Sequence, residues 1–251
     1  METVPPRSLV ALLHSLGLPP EQLELSEATR SPVWGIPVPA SQAERIWHAA
    51  RKPAQENGFT PILLTSEEAT SMIAEETAEQ VLSLAEQVNV QEWIQDQIEE
   101  WNSMLEEDGD DPLDLTVDLD NFEESDGAYT IYSLSQLGQD AAALLAFLPT
   151  AQPWQALAYY PFGSWNDCPA DEVHTAFLHM WYERWGAVPM VVTHDVLELW
   201  VDRPPQTPKD AAEVAVQQYL YCIDIVDQGT ETVHALAETL LNSPVWFFWW
   251  D

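Results

Sequence analysis

Basic residues are what this chain most lacks. It holds eight Lys and Arg against 42 Asp and Glu, for a formal net charge of −34, and none of the eight falls between Lys52 and Arg184. Phosphate backbones are held by clustered cations that displace counterions, so the composition argues against direct nucleic-acid binding and against anionic membranes. Cysteine is scarce as well: Cys168 and Cys222 stand far apart, build no disulfide framework, and point to a reducing cytoplasm. No charged segment followed by an apolar run opens the chain, and no apolar stretch nears the roughly 20 residues of a membrane span. A cytoplasmic protein without signal peptide or membrane helix is therefore expected. GxSxG, the phosphate loop and GxGxxG are all absent, which removes the usual evidence for hydrolase elbows and nucleotide folds.

Core-forming residues are plentiful. Twelve Trp in 251 residues with 46% hydrophobic content exclude disorder throughout and allow one large domain or two small ones. A helix is expected from Ser8 to Leu16, ended by Gly17. Val33–Val38 reads as a strand that Pro37 confines to an edge or a strand end. Ser41–Arg51 reads as a helix with Ser41 and Glu44 at capping-box spacing, and Phe59–Leu64 as a strand lying parallel to the first. From Ser66 to Glu107 an apolar stripe (Met72, Val81, Leu84, Val88, Trp93, Ile94, Ile98, Trp101, Leu105) runs along acidic helix, with a break at Asn89–Val90. Glu106–Asp126, the densest acid in the chain, reads as an exposed loop or insertion.

Beyond Tyr129, Ala156–Pro161 reads as a strand and Pro169–Trp185 as a helix. Pro189–Thr193 and Val196–Val201 form a hairpin around His194-Asp195. Thr207 caps a helix over Pro208–Tyr221, a second helix runs Thr230–Leu241, and Val245–Trp250 is a terminal strand. The fold class expected is α+β (mixed α/β), a sheet with helices packed mainly on one face and an acidic helical segment in the middle. Three portions follow: 1–65, an N-terminal α/β portion; 66–128, the acidic helical segment and loop; and 129–251, a C-terminal α+β domain.

Three blocks, GSWNDCP at Gly163–Pro169, LELWVDRPP at Leu197–Pro205, and QYLYCIDIVDQGT with the VWFFWWD ending, resemble the bacterial family called domain of unknown function 4253. The specific similarity covers about the last 90 residues. VWGIPVP and the Trp47 to Leu64 block resemble the family's N-terminal parts more loosely. The resemblance implies an intracellular bacterial protein with a defined C-terminal domain, and carries no activity with it.

Candidate chemistry gathers in two places. Trp165, Asn166 and Cys168 lie just before a helix whose dipole would lower the Cys168 thiol pKa, and His174 or His179 is near enough in sequence to make a Cys-His nucleophile. The plainer reading is a small buried hydrophobe followed by a helix-starting proline. Cys222, Asp224, Asp227 and Gln228 form the second group. Two Cys with His174 and His234 show no zinc-ligand spacing, and Asp227-Gln-Gly-Thr reads as a turn that caps the helix at Thr230, so no metal and no cofactor is expected. Asp110–Asp120 lacks the glycine and glutamate that an EF-hand loop requires. The closing aromatics would alternate faces along a strand, so the strand is internal or one of its faces meets a partner.

The leading functional expectation is an acidic binding module that neutralises a basic protein partner, as an inhibitor or immunity protein does, including by mimicry of nucleic-acid charge. Glu99, Glu100, Glu106 and Glu107 are its candidate contacts, and surplus Trp suits an interface. The same charge also serves solubility or a saline cytoplasm. The competing class is an enzyme or small-molecule binder with a crevice around Trp165, Asn166, Cys168, Asp224, Asp227 and Gln228. No oligomeric state is implied.

Overall fold

Short apolar runs become strands here, and the longer runs with a 3.6-residue period become helices laid over them. The computed structural model describes residues 4–26, 29–65, 76–123, 126–138 and 140–251. The seven strands found among them are β1 (Glu24–Ser26), β2 (Val33–Pro39), β3 (Thr60–Leu64), β4 (Ala142–Leu148), β5 (Ala187–Val192), β6 (Val196–Val201) and β7 (Val245–Trp249). They form one open mixed sheet in the order β1-β2-β4-β3-β5-β6-β7. The β3–β5 pair is parallel and the others are antiparallel. β2 and β3 run in the same direction, as expected, but β4 lies between them and pairs with both. Pro37 sits beyond the stretch of β2 that pairs with β1, where its missing N–H costs no ladder bond.

Helices cover both faces of the sheet, rather than mainly one. α7 (Asp171–Trp185), α8 (Pro208–Tyr221) and α9 (Val233–Leu240) lie on one face with the short α6 (Ala156–Tyr159), and the acidic α3 (Ala78–Ala85) and α4 (Val90–Asp108) pack outside α7 and α8. α1 (Arg7–Leu16), α2 (Ala40–Glu56) and the one-turn α5 (Tyr132–Ser135) cover the other face. Alternation along β7 sends Trp246 and Phe248 into the larger core, with Trp250 following, where Phe248 stacks on Trp181 at 5.5 Å. A full aromatic body at each of these sites excludes water over a large area and accounts for much of the stability.

Local signals are met at many element ends. Gly17 closes α1 in the left-handed region, Asn89 caps α4 through the Gln91 and Glu92 amides, and Thr207 accepts the Asp210 amide at the start of α8. Others differ. α2 starts after Pro39 with no side-chain cap, so Ser41 is inside the helix and the capping box with Glu44 does not form. No strand forms over Ala156–Pro161: Ala156–Tyr159 is helical, because Pro153 launches a tight turn that runs on into α6. The strand of this region is β4. Thr232, not Thr230, caps α9, since Val226–Thr230 is wound into a wide π turn. Met72 lies outside the described residues. Among those described, no helix is long and apolar enough to cross a membrane.

Candidate functional site

Two concave regions hold the residues singled out in the sequence. The first begins in the Gly163–Pro169 loop, where Gly163, Ser164 and Asn166 take positive φ of 104°, 64° and 45°. Only glycine fits at 163, because a Cβ there would lie 2.4 Å from His174 Nε2 and 2.2 Å from the Pro169 carbonyl. This tight bend delivers Cys168 Sγ to 3.5 Å from His174 Nε2, and His174 Nδ1 meets the Tyr221 hydroxyl. Cys168, His174 and Tyr221 are all buried.

Burial dominates their chemistry. It brings the His174 pKa down to about 3, against the pull of the Pro169 carbonyl, and pushes the Cys168 thiol well up. Desolvation thus overrides the helix dipole that the sequence suggested for Cys168. The resting pair is a thiol beside a neutral imidazole, packed among Phe162, Trp250 and Tyr221 rings. His179 is elsewhere, stacked on Trp154 at 4.0 Å. Trp165 is half-buried with its ring edge-on to Phe162.

On the outer side of this loop, α4 and the end of α8 enclose a groove of about 260 Å³ with Cys168 and Asn166 on one wall. Trp93 and Trp101 form its aromatic side, and Glu100 and Asp167 stand on it. Glu99, Glu100, Glu106 and Glu107 are all exposed on α4. Two of them hold neighbouring amides, Glu99 from Gln95 and Glu100 from Gln97. No Lys or Arg lies on this ridge, and four of the eight in the chain are held elsewhere by carboxylates or backbone carbonyls. Arg30 pairs with Asp171, Arg51 with Asp202, Arg184 with Asp210 and Glu213, and Arg203 donates to the Tyr182, Glu183 and Arg184 carbonyls. The 109–123 segment, exposed as expected, is pinned back by the Leu113 amide on Asn102 Oδ1 and by half-buried Leu113, Leu115, Val117 and Phe122.

The second region is a cavity of about 730 Å³ at the free edge of the sheet, between β7, the 193–195 turn, the 224–230 turn and α5. Asp224 and Gln228 line it and bond to each other at 2.7 Å, while Asp224 also accepts the Asp251 amide. Asp195 accepts from Thr193 Oγ1 and from Trp249 Nε1. Asp227 turns away, exposed, and accepts the Tyr219 hydroxyl at 3.0 Å. The structure therefore divides the crevice suggested by sequence: Asn166 and Cys168 border the groove, and Asp224 and Gln228 border the cavity. The chain's last residue joins the two, since Asn166 donates to the Asp251 carbonyl. Sequence reasoning missed Tyr221 as the partner of His174, and Asp195, Phe247 and Trp249 as cavity residues.

Comparison with known proteins bears on the same half of the chain. The sequence profile of the family described as "Domain of unknown function (DUF4253)" matches residues 144–251. The chain carries a DUF4253 domain. That domain holds all three sequence blocks, and does not extend to the VWGIPVP block in β2. It is also interrupted in space, because β3, from outside it, lies between its β4 and β5. No curated protein and no solved structure matches the chain. Among the described residues, no three His, Cys, Asp or Glu side chains converge as a metal site would require.

Proposed function

We propose that the protein is an acidic recognition module that binds and neutralises a basic protein partner through the α4 ridge. The observation that carries this reading is the uncompensated acid on α4, set beside a groove with an aromatic side. Between Lys52 and Arg184 the sequence holds no Lys or Arg, so α4 carries no cation of its own. A Lys or Arg stem laid against Trp93 and Trp101, with its charge at Glu100 and Asp167, would combine apolar contact, cation–π attraction and ion pairing. The wider field speeds encounter with a positive surface, in a salt-dependent way. Inhibitor and immunity proteins work by such neutralisation, and the ridge also suits a groove that otherwise holds nucleic acid.

The test is capture from the native host's nuclease-treated lysate, followed by binding kinetics of the retained protein. Wild type would be compared with a variant carrying Glu99→Gln, Glu100→Gln, Glu106→Gln and Glu107→Gln. One basic protein whose association slows about tenfold or more with the variant at low salt, the gap closing at high salt, is the expected result. Equal association rates for the two proteins would refute the electrostatic account.

A further inference from the structure

A second pocket adjoins the cavity at the β7 edge. It has a volume of about 270 Å³, lies between β7, α8 and α9, and shares Thr130, Ile225, Thr230 and Phe247 with the first. Gln218 of α8 lies in the wall of this second pocket. It is fully buried, yet neither its Nε2 nor its Oε1 has a hydrogen-bond partner. Buried carboxamides are nearly always satisfied, and among the described residues Gln218 is the one buried carboxamide left with neither its donor nor its acceptor paired.

The strand edge adds a second unfilled pair. The Trp249 carbonyl accepts the Cys222 thiol, and Trp250 donates to Asp195 on the β6 side. Antiparallel ladders alternate, so Val245, Phe247 and Trp249 present their backbone groups to the free edge. Val245 is served by Ser243. Phe247, which borders both pockets, keeps its N–H and C=O open there.

We infer that these two adjoining pockets together bind a small organic molecule that has a carboxamide-type donor–acceptor edge, an apolar body and no negative charge. Neither amide atom of Gln218 has open surface in the second pocket, so the Gln218 side chain turns toward it on binding and meets the carboxamide edge in complementary fashion, acceptor to Nε2 and donor to Oε1. The body lies along Phe247, whose ring is edge-on to Tyr132 at 5.3 Å. No Lys or Arg lines either pocket, whereas Asp195 and Asp224 stand in the first. An anionic ligand is therefore rejected, and an ammonium group at that end is accepted. The combined space suits a compact ligand of drug size.

The experiment is calorimetric titration of the full chain with acetamide, benzamide and phenylalaninamide, with phenylalanine methyl ester and free phenylalanine as comparisons. Saturable one-to-one binding of an amide is expected, weakened about tenfold or more when the ester or the free acid replaces phenylalaninamide. Gln218→Leu should remove that preference while leaving the near-UV dichroism of the aromatic core unchanged. The ester comparison uses the unaltered protein, so it decides the matter even if the variant is perturbed. Absence of saturable binding by all three amides up to about 10 mM, or equal binding of amide and ester, would overturn the inference.

Discussion

Arg30 offers the sharpest test of what holds the two halves of the chain together. Its side chain is 2% exposed and bonds to the Asp171 carboxylate, the Glu76 carbonyl and the Leu157 carbonyl. One guanidinium thus ties the segment before β2 to the approach to α3, to α6 and to the first turn of α7. Asp171, 12% exposed, also accepts the Phe162 amide at 2.9 Å. Arg30→Met keeps most of the stem volume and removes the charge, leaving a buried carboxylate unpaired. Breaking such a pair on one side costs about 3–5 kcal/mol. For a chain of this size that corresponds to a fall in Tm of about 6–20 °C. Burial already pushes the Asp171 carboxyl up, against the pull of Arg30 and the Phe162 amide, and losing Arg30 raises it further. A raised folded-state value means that the neutral form's contribution is complete at low pH and is lost as pH rises through that value. The deficit of the variant should therefore be smaller at about pH 5 than at about pH 8. Urea unfolding followed by Trp fluorescence at both pH values measures it. A loss below about 1 kcal/mol, or a deficit larger at the acid end, would show that the pair is not holding the structure as described.

Glu198 is buried on β6 and accepts the Tyr132 and Ser133 amides at 2.6 and 3.0 Å. Burial raises its pKa despite those bonds, so Glu198→Gln should gain stability relative to wild type as pH rises from about 4 to about 7; a flat or falling difference in urea midpoints would contradict this. Residues 144–251 alone lack β3, whose buried Ile62, Leu63 and Leu64 contribute about 1.5–3 kcal/mol each, so that fragment should be unfolded by circular dichroism. A cooperative thermal transition for the fragment would mean that β4 and β5 can close without it. Cys168 is 4% exposed with its thiol pushed up, so native labelling by a thiol reagent should be about a hundredfold slower than in urea. Comparable rates would point to an activated thiol instead.

Where local chemistry decides, the sequence could be read closely. α8 runs from Pro208 to Tyr221 with Thr207 as its cap, as Pro at the first helical position and a Thr before it predict. The β5–β6 hairpin and the break at Asn89 follow from equally short-range cues. β4 escaped because AALLAFL has no alternation and its partners lie about 80 and 105 residues away, so only tertiary pairing identifies it. The Cys168–His174 contact was legible from a bend followed by one helical turn. Tyr221 was not, since nothing local brings α8 to α7. Gln218 left a signal that went unused: Ala211, Val214, Ala215 and Gln218 share one helical stripe, all four buried, which places a carboxamide on an apolar face.

Both candidate sites are built across the boundary of the DUF4253 match. The domain supplies Cys168, Asn166, Gln218, Asp224 and Phe247. The facing walls come from outside it: Trp93, Glu100 and Trp101 on α4 for the groove, and Thr130 and Tyr132 for the cavity. The domain side is held rigidly, by the Gly163 bend, the packed rings around His174 and the Asp251 contacts. The outer side rests on lighter packing, since no residue of α4 is fully buried and α5 is a single turn. A wall of that kind can change in sequence without disturbing the core, because substitutions there cost little stability. On the proposed reading, selectivity for one partner or one ligand would be set by residues 76–138, which also carry 18 of the 42 acidic residues. A chimera that exchanged that segment would transfer the specificity and keep the fold.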